Sequence, residues 1–358
     1  MGFINKIFGV FKKKNKGIVV LSLFDGIGSA YIALQKAGIR VKEYYASEID
    51  KYAIHQSELN FPQIKHLGDI RDITPDTLPK HIDLVIGGSP CQSFSLAGNR
   101  EGMSTIENHE VTNLSEYLEL KKCKFEFKGE SYLFWEFVRI LNEVKKKNPN
   151  VKFLLENVEM GKKWESVITS ALTVEPLHLD SRYVSGQIRK RVYWTNITND
   201  FSWGDTDPDN EHKFEEYLEH RYDESDYLIS KENVKKILGR MDIGSVPVDR
   251  PLDEWLPYDD YNHKFPKCLT KVGTVRQTFA NKAAANGYKL IRETSPNAIL
   301  NRQPENVEIR IFTPIECANL QTIPEDYKWD VSSRQMYKLI GNGWTIDVIE
   351  KIISYLKR

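Results

Sequence analysis

Cysteine is scarce in this chain of 358 residues: Cys91, Cys123, Cys268 and Cys317 stand far apart, with no Cys-x-x-Cys pair. That argues against both a disulfide framework and a structural zinc site, so a reducing, cytosolic compartment is expected. Net charge is also missing, because 50 lysines and arginines balance 50 aspartates and glutamates. The whole molecule therefore has no general attraction for a polyanion, and any nucleic-acid surface must be a local patch. No apolar run reaches the length of a signal-peptide core or a membrane span. Internal repeats and low-complexity blocks are absent as well. The length favours one large domain with a smaller companion.

Residues 1–16 mix Phe3, Ile4, Ile7, Phe8, Val10 and Phe11 with lysines. This suits a short helical or frayed extension, with a weak amphipathic anchor as the alternative. Residues 17–23 read as a strand, Phe24-Asp25-Gly26-Ile27-Gly28 as a glycine turn, and residues 30–37 as a helix closed by Gly38. Further strands are expected at 41–47, near Lys65, and at 82–86, 151–155 and 192–195, with helices between several of them, including one at 132–141. This alternation predicts an α/β fold, a doubly wound and mostly parallel sheet with helices on both faces. From about residue 200 the chain turns acidic, aromatic and irregular. Residues 264–310 then carry many lysines and arginines with few acids, a stripe that suits phosphates or a solvated face equally.

Ligands of such a sheet sit beyond the carboxyl ends of its strands. Gly26 and Gly28 fall there, as does Glu48, an acid about twenty residues on and suited to ribose hydroxyls. Tyr31 replaces the third glycine of a dinucleotide fingerprint, which favours a nucleoside-type cofactor such as S-adenosylmethionine. Asp69, after the third strand, is placed to accept from an adenine amino group. The fourth strand runs into Gly87-Gly88-Ser89-Pro90-Cys91, where a sharp turn offers the thiol as an exposed nucleophile. Another strand delivers Glu156 to the same edge; against an apolar wall it would be raised in pKa and suited to give up a proton. Arg189 and Arg191 precede a further strand, and one of them is expected to point into the pocket. These parts suit methylation of cytosine. Its C5 is too weak a nucleophile unless a thiolate adds at C6 with Glu156 at N3 and Arg191 at O2, and the base must first leave the stack.

The sequence closely resembles the DNA cytosine-5 methyltransferase family over nearly its whole length. The matching stretches, in order, are Leu23-Phe24-Asp25-Gly26-Ile27-Gly28, Glu48-Ile49-Asp50-Lys51-Tyr52-Ala53, Gly88-Ser89-Pro90-Cys91-Gln92-Ser93, Glu156-Asn157-Val158, Gln187-Ile188-Arg189-Lys190-Arg191, Thr313-Pro314-Ile315-Glu316-Cys317 and Gly341-Asn342-Gly343-Trp344. The resemblance implies S-adenosylmethionine as cofactor, held by Phe24, Asp25, Gly26, Gly28, Glu48, Ile49, Asp69, Ile70, Pro90, Leu133, Asn342 and Gly343. It implies catalytic roles for Cys91, Glu156, Arg189 and Arg191. It makes residues 92 to about 102 a loop closing over double-stranded DNA, with contacts expected from Gln92, Ser93, Ser95 and Arg100. Residues 266–276 become a threonine-containing recognition loop, with Thr270, Lys271 and Arg276 as contacts.

The implied organisation is an extension at 1–16, a catalytic and cofactor domain at 17–200, a target-recognition domain at 201–306 and a C-terminal segment at 307–358 that returns beside the first strand. Residues 101–129 depart from the family pattern as an insertion, either a surface elaboration or a DNA contact; their nearly balanced charge disfavours a pure phosphate-binding arm. A monomer is expected, in the cytoplasm of a bacterium or phage-infected cell, with a cognate restriction endonuclease as a conceivable companion. Three rivals stand beside this reading. The first is RNA methylation, since Cys268-Leu269-Thr270-Lys271 is faintly similar to a motif of a transfer-RNA branch. A non-catalytic DNA-binding paralogue has no chemical need for Cys91, Glu156 and Arg191 together. Amino-group methylation needs a polar-aromatic tetrad where Pro90-Cys91 stands.

Overall fold

The computed structural model describes residues 17–90, 102–219, 223–248, 250, 252–259, 262, 272–273 and 288–357. Strands β1 (Ile18–Leu23), β2 (Val41–Ser47), β3 (Lys65–Gly68), β4 (Leu84–Gly88), β5 (Lys152–Val158) and β6 (Pro176–Asp180) belong to one seven-stranded sheet. The two-residue strand β7 (Gln187–Ile188) lies outside it, and β8 (Lys190–Thr195) completes it, in the order β3-β2-β1-β4-β5-β8-β6. Pairings from β3 across to β5 are parallel, whereas β8 runs antiparallel to both β5 and β6. The order reverses between β1 and β4, the point where such sheets bind their ligands, beyond the carboxyl ends of the strands. The sequence expectation of a mostly parallel sheet holds, with the antiparallel pair added at one edge.

Alternation along the central strands sends side chains to two separate cores, as the period of two requires. Val20, Leu84, Ile86 and Leu154 face one cluster, while Val19, Leu21, Val85, Phe153 and Leu155 face the other. On the first face pack α1 (Ser29–Lys36) and, through Ala53, α2 (Lys51–Asn60). Helix α3 (Leu114–Lys122) belongs to the insertion. On the second face lie α4 (Phe134–Lys147), which buries Phe134, Phe137, Val138, Leu141 and Val144 at the spacing of one helical stripe, and α5 (Lys162–Leu172). No described helix is long and apolar enough to cross a membrane.

A third core is built from α6 (Lys231–Arg240) and a three-stranded antiparallel sheet, β12-β11-β9. Its strands are β9 (Leu256–Asp259), β11 (Tyr288–Glu293) and β12 (Val307–Arg310), and the pair β10 (Val272–Gly273) lies apart. β10 runs parallel to β7, so the segment that follows Thr270 meets the chain just before Arg189. Residues Phe201, Trp203, Phe214 and Tyr217 pack on the first core rather than on the third. Helices α7 (Pro314–Leu320), α8 (Ser333–Asn342) and α9 (Ile346–Ile353) return the chain to the large sheet. The apolar face of α9 (Ile346, Ile349, Ile352, Ile353) enters the first core beside α1, and Lys36 pairs with Asp347 across that contact.

The insertion is anchored from within. Glu136 on α4 is fully buried and accepts from the hydroxyl of Tyr117, from Lys121 Nζ at 2.5 Å and from Arg139 Nε at 2.6 Å. Arg139 also donates to the carbonyl of Ile70 at 3.2 Å, and Lys121 to that of Arg71 at 3.4 Å. Part of the insertion is therefore a brace on the turn after β3, a role that the sequence alone did not suggest.

Candidate active site

Parallel strands that end in register bring their following turns to one edge. After β1, Phe24 takes a left-handed conformation at φ 59°, and Gly26 and Gly28 follow at 61° and 81°. A side chain on Gly28 would begin 2.9 Å from the Phe61 ring, so a bulkier residue is excluded there. Above Gly26 there is open space, which leaves the backbone at the N-terminal end of α1 approachable. After β2, Glu48 reaches back to accept from the amide of Gly26 at 2.9 Å and from those of Ile49 and Asp50 at 2.7 and 2.8 Å. Beside it Ile49 is 61% exposed, a large apolar side chain open to a ligand's approach. After β3, Asp69 is gripped by Arg71, whose guanidinium holds that carboxyl below the usual carboxylate range. Ile70 and Leu133 lie buried close by.

This set fits an adenosine-bearing cofactor: a carboxyl acceptor at Glu48, an exposed apolar platform at Ile49, a second acceptor at Asp69 and an approachable glycine backbone. One expected contact falls away as a side chain. Asp25 turns inward, only 4% exposed, and accepts from the Tyr44 hydroxyl at 2.6 Å. Burial pushes its carboxyl up to about 6, so only its backbone remains for a ligand.

The fourth and fifth strands carry the chemistry. Their register sets Gly88 directly beside Glu156. Asn157, buried, donates to the carbonyl and hydroxyl of Ser89 at 3.3 and 3.0 Å and fixes the turn through Pro90. Cys91 follows Pro90 in the chain but lies outside the described residues, as do Gln92, Ser93, Ser95, Arg100, Thr270, Lys271, Arg276 and Cys268. Cys123 is exposed and Cys317 buried, and neither is bonded to another cysteine.

Glu156 does not face the apolar wall expected from the sequence. Its Oε1 lies 3.0 Å from Arg191 Nε, and its Oε2 accepts from Trp344 Nε1 at 3.0 Å. Arg191 thus points into the site. Arg189 is 4% exposed and donates to the carbonyls of Gly343 at 2.7 Å and Gly341 at 3.3 Å. The side chain holds the Gly341–Gly343 turn, where Asn342 and Gly343 were expected to meet the cofactor.

Beneath that turn runs a buried polar network absent from the sequence reading. Gln187 donates to Gln321 Oε1 at 3.0 Å, Thr345 donates to the same oxygen at 2.8 Å, and Gln321 donates to the Ile340 carbonyl at 3.0 Å. Gln187 belongs to a stretch noted for its arginines, and its spacing gave no sign that it would pair with residues more than a hundred positions away.

The model of the C-5 cytosine-specific DNA methylase family matches residues 18–358. The chain belongs to that family. It is 27% identical to the type II methyltransferase M.BsuFI of Bacillus subtilis, in an alignment covering 99% of this chain and 76% of that protein. It is 25% identical to the type II methyltransferase M.HhaI of Haemophilus parahaemolyticus, over 95% of this chain and 94% of that one. The crystal structure of the S. pombe Dnmt2 methyltransferase superposes with a TM-score of 0.62 at 20% identity, covering 95% of this chain and 96% of its own, a likeness of fold. The enzyme is accordingly a DNA cytosine-5 methyltransferase, and its methyl donor is S-adenosylmethionine.

Proposed function

We propose that this methyltransferase modifies cytosine within a specific sequence of double-stranded DNA, by rotating the base out of the helix and bonding Cys91 to its C6. The observation that supports this most directly is the β4–β5 register, which sets Glu156 beside Gly88 three residues before Cys91. A flipped base would meet the thiol from one strand end and the carboxyl and guanidinium of Glu156 and Arg191 from the next two.

In this reading Cys91, as thiolate, forms a bond to C6 while Glu156 engages N3 and Arg191 engages O2, so electron density collects at C5. S-adenosylmethionine, when bound, supplies an electrophilic methyl group. C5 then carries both methyl and hydrogen. Removal of that proton returns its bonding pair to the ring, and the C6–S bond breaks with its electrons on sulfur. Unstacking the base costs a few kcal/mol, which contacts in the pocket must offset.

Target recognition is assigned to residues 201–306, supported by the separate core around Ile229, Ile237 and Ile291 and by the segment Val272–Gly273, which pairs with β7 just before Arg189. A monomer acting in the cytoplasm, with a companion endonuclease, completes the proposal; the relatives named type II methyltransferases favour such a system. The experiment is incubation with labelled S-adenosylmethionine and either duplex DNA or total transfer RNA, followed by bisulfite sequencing. Label at one cytosine of a recurring DNA sequence, lost in Cys91→Ala with DNA binding kept, is the expected result. Label entering RNA alone, or methylation persisting in that variant, would contradict it.

A further inference from the structure

We infer that Trp344 is the positioning residue for the catalytic glutamate, and that Gly88 is glycine so that the indole and the carboxylate can meet. The inference rests on the proposed role of Glu156 and adds what sets that side chain's orientation. Trp344 is 8% exposed, and its indole N–H donates to Glu156 Oε2 at 3.0 Å, while Arg191 holds the other oxygen. A carboxylate held at both oxygens by donors on different elements keeps one rotamer, and its plane is then set for an incoming base.

The indole is itself fixed from both sides along the chain. The carbonyl of Gly343, just before it, accepts from Arg189 at 2.7 Å and Gln321 at 3.4 Å. Thr345, just after it, is tied to Gln321 at 2.8 Å and to Ser181 at 2.8 Å, all within the buried interior. The backbone around Trp344 is therefore over-determined, and the N–H has one place to point. Gly88 supplies the space. A methyl group there would sit 2.8 Å from Trp344 Nε1 and 2.9 Å from Glu156 Oε2, too close to both for the pair to persist. Ordinary core packing explains a buried tryptophan, but not its single polar atom meeting the site carboxylate across a strand end that admits only glycine.

Trp344→Phe keeps a ring and removes the donor. The single-turnover methylation rate on duplex DNA is expected to fall by about tenfold or more, while calorimetric affinity for S-adenosylhomocysteine stays within about twofold. The deciding measurement is the double variant with Glu156→Gln. If Trp344 acts through Glu156, the double variant is no slower than Glu156→Gln alone, because the orientation being lost no longer matters. Gly88→Ala repeats the test without altering either partner chemically and should show the same non-additivity, so misfolding of one variant does not end the test. Losses that multiply in the double variants, or a Trp344→Phe enzyme with the native rate, would overturn the inference. A Glu156→Gln enzyme that turns over normally would instead remove the proposed role of Glu156.

Discussion

Two buried glutamates, Glu156 and Glu136, have been put to opposite uses. Glu136 is fully buried and meets three donors, Tyr117, Lys121 and Arg139, so every direction around its carboxylate is closed by the protein. Glu156, at 9% exposure, meets two donors near the carboxyl end of β5, the edge where ligands of such sheets sit. A buried carboxylate surrounded by donors holds elements together; one left with an open side can meet a ligand. The difference lies in how many partners surround the group and which way it faces.

Glu156→Gln should lower turnover by about 10²–10⁴-fold with little change in melting temperature, read from labelled methyl transfer beside a thermal melt. A comparable loss of stability would place Glu156 with Glu136 as a structural group. Glu136→Ala should do the reverse. It leaves Arg139 at 15% exposure and Lys121 at 36% without their counter-ion, and a loss of about 3 kcal/mol in urea unfolding is expected, the lower end of the range for broken buried pairs because Lys121 reaches water. Turnover per folded molecule should survive.

Asp25 extends the comparison to a buried carboxyl with hydroxyl neighbours, Ser22 and Tyr44, and no cation partner among the described residues. Burial raises it to about 6 from an ordinary 3.8, so the folded state binds that proton more tightly than the unfolded chain does. Its neutral form is favoured in the fold, and stability should decline as pH climbs from about 4 to about 6 and then level off. Asp25→Asn should match the parent near pH 4 and exceed it above pH 6 by as much as about 3 kcal/mol. A gap that is the same at both pH values would mean the carboxyl titrates alike in both states. The smallest effect belongs to the half-exposed pair of Lys36 and Asp347: Asp347→Ala should cost less than about 1 kcal/mol and depend on salt.

The centre of the sheet was legible because β1, β4 and β5 are short apolar runs stopped by glycine or a polar turn, and parallel order then places their following turns at one edge. Glu48, Asp69, Gly88 and Glu156 were found by that geometry, which needs only local pattern. What escaped depended on pairings across long separations. Trp344 and Glu156 stand 188 residues apart, and neither neighbourhood announces the other. Arg191 was placed at the pocket from the sequence and meets Glu156, but nothing near Arg189, two residues before it, showed that its side chain would reach the Gly341–Gly343 carbonyls. Asp25 sat in the expected cofactor turn, yet its side chain went inward to Tyr44, a partner on the next strand. The strand at 192–195 was expected, but β6 was not, nor was the antiparallel direction of β8, because direction is set by connection and packing, which apolar periodicity does not encode.

The central claim is a transient carbon–sulfur bond between Cys91 and cytosine, and trapping it is the most direct test. With fluorine at C5 of the target base, methyl transfer can proceed but no proton remains there to be removed, so the adduct has no route to release the enzyme. Duplex DNA carrying this base, incubated with the enzyme and S-adenosylmethionine, should give a complex stable to denaturant, with peptide mapping placing the link at Cys91 and Cys91→Ala giving none. A native enzyme that methylates ordinary DNA yet forms no such complex, or one linked through another residue, would contradict the account.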